Sequence, residues 1–150
     1  MFAVLFNPDI ARIVSAISIH SYGNVLIFPW GYSMERHPDK DRLSRLAYKM
    51  MNSVKWNSED YEIYVPGTAF EVKQFYSVLV KSFFTCLVLK VFDRWGYAGG
   101  ATDDWYKDIG IEYSYTWELP ERDEDGFHGF ELPPKNIIRV KLIISIIVNF

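Results

Sequence analysis

A chain of 150 residues, 49% hydrophobic and 17% aromatic, suits one domain with a modest core and is too apolar for a disordered chain. Its net charge of −3, without a Lys/Arg-rich block or basic stripe, argues against nucleic acid as a partner. The single cysteine, Cys86, cannot form an internal disulfide, and no apolar run is long enough to span a bilayer.

The N-terminus has no basic region, and Pro8 and Asp9 interrupt its apolar run, so no signal peptide is expected in this chain. Ile13 to His20 is apolar and β-compatible and ends before a turn at Tyr22-Gly23-Asn24. Val25 to Phe28 is a second apolar run, closed by Pro29, and both read as buried strands. Pro38 and Asp39 open a helix in which Leu43, Leu46, Ala47, Met50, Met51 and Val54 share one face. Asp39 and Asp41 sit near its start and Lys49 and Lys55 near its end, as the helix dipole favours. Residues 57–67 are polar and turn-rich.

Thr102 is the expected N-cap of a short helix, with Asp103 and Asp104 in its first turn and Gly110 as its terminator. The clearest strand follows. Ile111, Tyr113, Tyr115, Trp117 and Leu119 alternate with Glu112, Ser114, Thr116 and Glu118. Strands alternating with helices predict an α/β layer structure. Residues 73–95 show no clean periodicity, and the apolar tail 141–150 is an aggregation hazard unless covered.

Two constellations carry chemistry. A histidine ending an apolar strand, His20, is held rigidly enough to ligate a metal, although a hydrogen-bonded core or loop role is the plainer alternative. Glu118, opposite an aromatic strand face, is either a solvated or salt-bridged carboxylate or a general base.

The run His20-Ser21-Tyr22-Gly23-Asn24-Val25-Leu26-Ile27-Phe28-Pro29-Trp30 resembles the motif bearing the third zinc ligand of the pancreatic-type (A/B) zinc carboxypeptidases. Tyr113-Ser114-Tyr115-Thr116-Trp117-Glu118-Leu119 resembles that family's Tyr-Ser-aromatic-Thr-x-Glu-Leu strand. Gly99-Gly100-Ala101-Thr102-Asp103-Asp104-Trp105 is similar to its Gly-Gly-Ser-x-Asp-Trp segment, and Gly129-Phe130-Glu131-Leu132-Pro133 to its Gly-Phe-x-Leu-Pro stretch. These blocks stand in the family's order and cover residues 15–71 and 97–140.

The resemblance implies the C-terminal part of a mixed eight-stranded sheet flanked by helices, incomplete here. It implies zinc as cofactor, His20 as a metal ligand and Glu118 as the catalytic base. It places Asp103, Tyr97, Ser21 and Tyr22 at the substrate. Asp103 occupies the position that is apolar in A-type and aspartate in B-type members, which implies basic C-terminal residues; a helix-dipole charge is the alternative. Tyr97 stands one place from the family's mobile tyrosine. Implied partners are peptide or protein C-termini, with no nucleic acid and no membrane, and a monomeric, extracellular protein is expected.

The family's two-histidine, one-glutamate zinc set is carried over from it, not inferred. Residues 1–19 contain neither an H-x-x-E nor an Asn-Arg pair, so this chain alone is expected to be zinc-free and inactive. His128-Gly129-Phe130-Glu131 has the spacing but follows Glu118 instead of preceding His20, and is set aside as a surface loop. His37 is expected to be a solvent-facing turn residue. Residues 73–95 and 141–150 interrupt the family pattern and are expected to be translated intron sequence. The alternatives are a non-catalytic truncated fragment or pseudo-peptidase binding module, and an unrelated α/β binding domain.

Overall fold

The computed structural model describes residues 13–57, 65–82, 98–123 and 125–137. Four strands form one sheet: β1 (Ser15–Ser21), β2 (Val25–Ile27), β3 (Val65–Gly67) and β4 (Tyr113–Leu119), in the order β1-β4-β2-β3. The pairs β1–β4 and β2–β3 are parallel, while β2–β4 is antiparallel, so the sheet is mixed. A small ribbon, β5 (Arg122–Asp123) and β6 (Gly126–Phe127), follows β4. The peptide bonds Ser21-Tyr22 and Pro29-Trp30 are cis.

Alternation along the strands sorts side chains onto two faces. Leu26, Phe28, Tyr115 and Trp117 meet Leu43, Ala47, Met50 and Met51 of α1 (Lys40–Asn57). That helix is where its apolar spacing predicts it. The Tyr115 hydroxyl donates to the Leu43 carbonyl at 2.9 Å, satisfying both groups inside this core. On the other face Val25 and Ile27 pack against Ala69 and Val72 of α2 (Ala69–Ser82). The same face of β4 carries α3 (Thr102–Asp108), tied down by the Ser114 hydroxyl donating to the Asp103 carbonyl at 2.8 Å.

Several expectations need correction. The turn-rich segment ends in β3, whose Pro66 is tolerated because β3 lies at the edge of the sheet. Residues 73–82, read as patternless, belong to α2. The start of α2 is a reciprocal cap: Thr68 N–H donates to Glu71 Oε2 at 3.0 Å, and Glu71 N–H to Thr68 Oγ1 at 3.4 Å. Residues 83–95 and 141–150 lie outside the described residues.

Thr102 is the first residue of α3, not its cap. Ala101 holds the cap position without a side-chain bond. Gly110 does terminate that helix, at φ +92°, with its N–H on the Lys107 carbonyl. His37 is half-buried against Trp30, and its Nδ1 accepts the Asp39 N–H at 2.9 Å. Burial first, and Lys107 next, lower its pKa.

One ionic clasp joins the start of α1 to the end of α3. The nearly buried Lys107 ammonium donates to Asp39 Oδ2 and to the Glu112 carbonyl, both at 2.7 Å. Arg42 reaches Asp39 at 3.0 Å and Glu112 at 2.5 Å, and lies over the Tyr113 ring. The Lys107 hydrogen bond holds the Asp39 carboxyl below its ordinary value.

Candidate active site

The register of β1 on β4 builds the site. Partners opposite one another on paired strands project to the same face. His20 stands beside Glu118, and Ser18 beside Thr116. In the antiparallel pairing Val25 faces Glu118 and Ile27 faces Thr116. His20, Ser18, Glu118, Thr116 and Ile27 therefore share the face on which α3 packs. Together with Asp103 they line one cavity of about 370 Å³.

His20 Nδ1 lies 3.4 Å from Glu118 Oε1 and 3.0 Å from the Ser21 carbonyl. The imidazole is largely exposed, while the Glu118 side chain is mostly buried and its Oε2 has no hydrogen-bond partner. Burial raises the Glu118 pKa, and the adjacent His20 opposes that shift. A carboxylate with a raised pKa, one free oxygen and a neighbouring imidazole is equipped to accept a proton from water.

Asp103 lies beneath the same cavity and is 0% exposed. The Thr116 hydroxyl donates to its Oδ1 at 2.7 Å, and its Oδ2 is buried without a partner. Burial pushes this carboxyl up to about 6. The Thr116 bond works against the shift and the Asp104 charge adds to it.

Asp104 does different work. Its carboxylate accepts Gly31 N–H at 2.9 and 3.1 Å and Tyr32 N–H at 3.2 Å, pinning the segment after β2 to the start of α3. Only glycine fits easily at position 31, where a Cβ would stand 3.2 Å from the Ala98 carbonyl oxygen.

The structure thus brings His20, Glu118 and Asp103 to one cavity. Ser21 contributes its carbonyl to His20. Tyr22 packs its ring against Phe127 and Phe130, at centroid distances of 5.5 and 4.8 Å. Tyr97 lies outside the described residues. Sequence reasoning missed Thr116 and Asp104 as the groups that hold Asp103 and its surroundings. Thr116 carried a usable signal, since it shares the alternating face of Glu118.

His128 is not a free surface residue. Its Nε2 lies 2.8 Å from Asp123 Oδ1, and the Asn136 amide donates to Asp123 Oδ2 at 2.8 Å. These bonds, Asn136 foremost, hold the Asp123 carboxyl well below the usual carboxylate range. His128 is thereby committed to the loop after β4. Among the described residues no three His, Cys, Asp or Glu side chains gather as a metal site.

Comparison with known proteins places this geometry in a family. The zinc carboxypeptidase family model matches residues 3–142. Human carboxypeptidase A1 is 35% identical over 133 residues, covering 89% of this chain and 25% of that protein. Inactive metallocarboxypeptidase ECM14 of Blastomyces gilchristii is 28% identical over 130 residues, covering 85% of this chain and 20% of its own.

Among solved structures, bovine thrombin-activatable fibrinolysis inhibitor in complex with tick carboxypeptidase inhibitor aligns with a TM-score of 0.66 at 27% identity. That alignment covers 90% of this chain and 37% of the other. Carboxypeptidase A from Helicoverpa armigera aligns at 0.68 and 18% identity, over 92% and 29%, a likeness of fold alone. The chain spans about a quarter of the length of the curated relatives it matches. It belongs to the zinc carboxypeptidase family.

Proposed function

We propose that this chain forms the C-terminal part of a zinc-dependent carboxypeptidase that removes single residues, preferentially basic ones, from the C-termini of peptides and proteins. The observation that carries this reading is the β1–β4 register, which sets His20 and Glu118 side by side above a cavity floored by Asp103.

A catalytic zinc takes three protein donors and an open position. His20, exposed and strand-held, suits one donor of such a set, and a single imidazole does not make a zinc site. The H-x-x-E that supplies the family's further donors has no counterpart in residues 1–19. Glu118 acts as the proton carrier: its unpartnered Oε2 takes a proton from the attacking water and delivers it to the departing amine. Asp103 meets the substrate's terminal cationic side chain at the cavity, and Ser21 and Tyr22 keep their assignment at the substrate from the family resemblance. Tyr97 keeps its assignment as a closing residue. A secreted, monomeric protein goes with the same family reading. Among the described residues no helix is long and apolar enough to cross a membrane.

A second reading, a non-catalytic pseudo-peptidase module, is favoured by the likeness to a relative named as inactive. Under either reading the isolated chain has one zinc donor. Equilibrium dialysis of the purified chain should therefore show no tight zinc binding, and an arginine-ended peptide should remain untrimmed. Stoichiometric tight zinc, or trimming, contradicts the assignment of donors.

A further inference from the structure

Asp103 is buried in an unusual state. Thr116 satisfies Oδ1, while Oδ2 is sealed from water without a donor. No described ion pair includes it. Its neighbour on α3, Asp104, is an acid already held by Gly31 and Tyr32. The cation on that helix, Lys107, is committed to Asp39 and the Glu112 carbonyl. From β4 and β1 the titratable groups facing the same cavity are Glu118 and His20. A carboxylate so placed has little hydrogen bonding against the cost of desolvation, so while the cavity is empty it takes up a proton in mild acid, at about pH 6.

We propose that a cationic side chain is taken into this cavity only against ionised Asp103, so that in mild acid the uptake of a guanidinium or ammonium group drives a proton off this carboxyl into solvent. The inference rests on the reading of the cavity as the seat of the substrate's last side chain. The O–H bond on the carboxyl breaks, its proton passes to the buffer, and the incoming cation keeps all of its own. Below about pH 6 one positive charge thus enters as another leaves, whereas at pH 7 the cation meets a carboxylate that is already mostly ionised.

With a carboxyl titrating at about 6, the competent ionised fraction is about nine-tenths at pH 7 and about one-tenth at pH 5. Cation affinity should then fall about tenfold between these values. In acid the pocket presents an O–H donor and suits an uncharged amide side chain, so discrimination between arginine-like and glutamine-like termini narrows.

The test uses the full chain, with methylguanidinium as probe and NMR as readout. The Asp103 carboxyl carbon is followed directly, so that titration of Glu118 or His20 is not mistaken for it. The expected result is an Asp103 midpoint near pH 6 that moves to lower pH on adding methylguanidinium, with binding about tenfold tighter at pH 7 than at pH 5. Asp103→Asn should bind at least tenfold more weakly at pH 7 and lose the pH dependence. An Asp103 midpoint in the ordinary carboxylate range, equal affinity at both pH values, or no binding at pH 7 overturns the proposal. The carbon titration is made on the unsubstituted chain and stands even if Asp103→Asn does not fold. None of these readings involves zinc or hydrolysis, so failure here leaves the roles of His20 and Glu118 to their own tests.

Discussion

Glu118→Gln should lower release of a C-terminal arginine by about 10²- to 10⁴-fold in a chimaera where this chain replaces the matched quarter of carboxypeptidase A1. The substitution keeps the shape and hydrogen-bonding reach of the side chain and removes only its basicity. The loss should therefore fall on kcat, with KM little changed, because a group that acts only as the proton moves contributes little to ground-state binding. The same variant should melt at a higher temperature. Burial without a partner for Oε2 disfavours the ionised carboxylate, as the raised pKa records. A neutral amide removes that penalty, an exchange of stability against activity common at catalytic sites. Steady-state kinetics and a thermal melt on one preparation check both halves.

Asp103→Asn should raise stability at neutral pH by on the order of 3 kcal/mol, measured by urea unfolding of wild type and variant across a pH series. The carboxyl titrates at about 6 in the folded chain against an ordinary value of 3.8. Between those values the folded state holds more protons than the unfolded one. The contribution of Asp103 to stability is thus most favourable below about pH 4. It is lost as pH rises through 6, and it is constant above that. Asparagine removes the slope while its carbonyl still accepts the Thr116 hydroxyl. The variant's advantage should therefore open between pH 4 and 6 and level off near 7. An unchanged difference across that range would show Asp103 to be ionised throughout.

Much of the fold is legible in the sequence, for specific reasons. β1, β2 and β4 are apolar or strictly alternating runs bounded by turns, and the apolar spacing of α1 survives into the core as Leu43, Ala47, Met50 and Met51. β3 hides because three residues containing Pro66 and Gly67 look like a turn, and only pairing with β2 makes them a strand. α2 had a readable start in Thr68 and Glu71, and Val72, Phe75, Tyr76 and Leu79 follow at helical spacing, a pattern obscured by the further apolar residues Val78 and Val80 between and beyond them. The helix cap at Thr102 fails by one position because Ala101 takes its place.

The site divides in the same way. His20 and Glu118 stand out one by one, through strand ends and the family resemblance. That they are neighbours is decided by a parallel pairing between distant segments, which local pattern does not encode. The state of Asp103 is set by α3 packing on β4, where the Thr116 hydroxyl donates to its side chain. Glu112 and Glu118 alternate alike on paper, yet one joins an ion-pair clasp and the other lines the cavity.

The most direct test is the zinc content of the chimaera after dialysis, compared with its His20→Ala variant. One zinc per molecule in the parent, and affinity lower by at least 10²-fold in the variant, is the result expected of an imidazole that completes a three-donor site beside Glu118. Retention of zinc at parental affinity by His20→Ala would contradict the placement of the metal between these two strands.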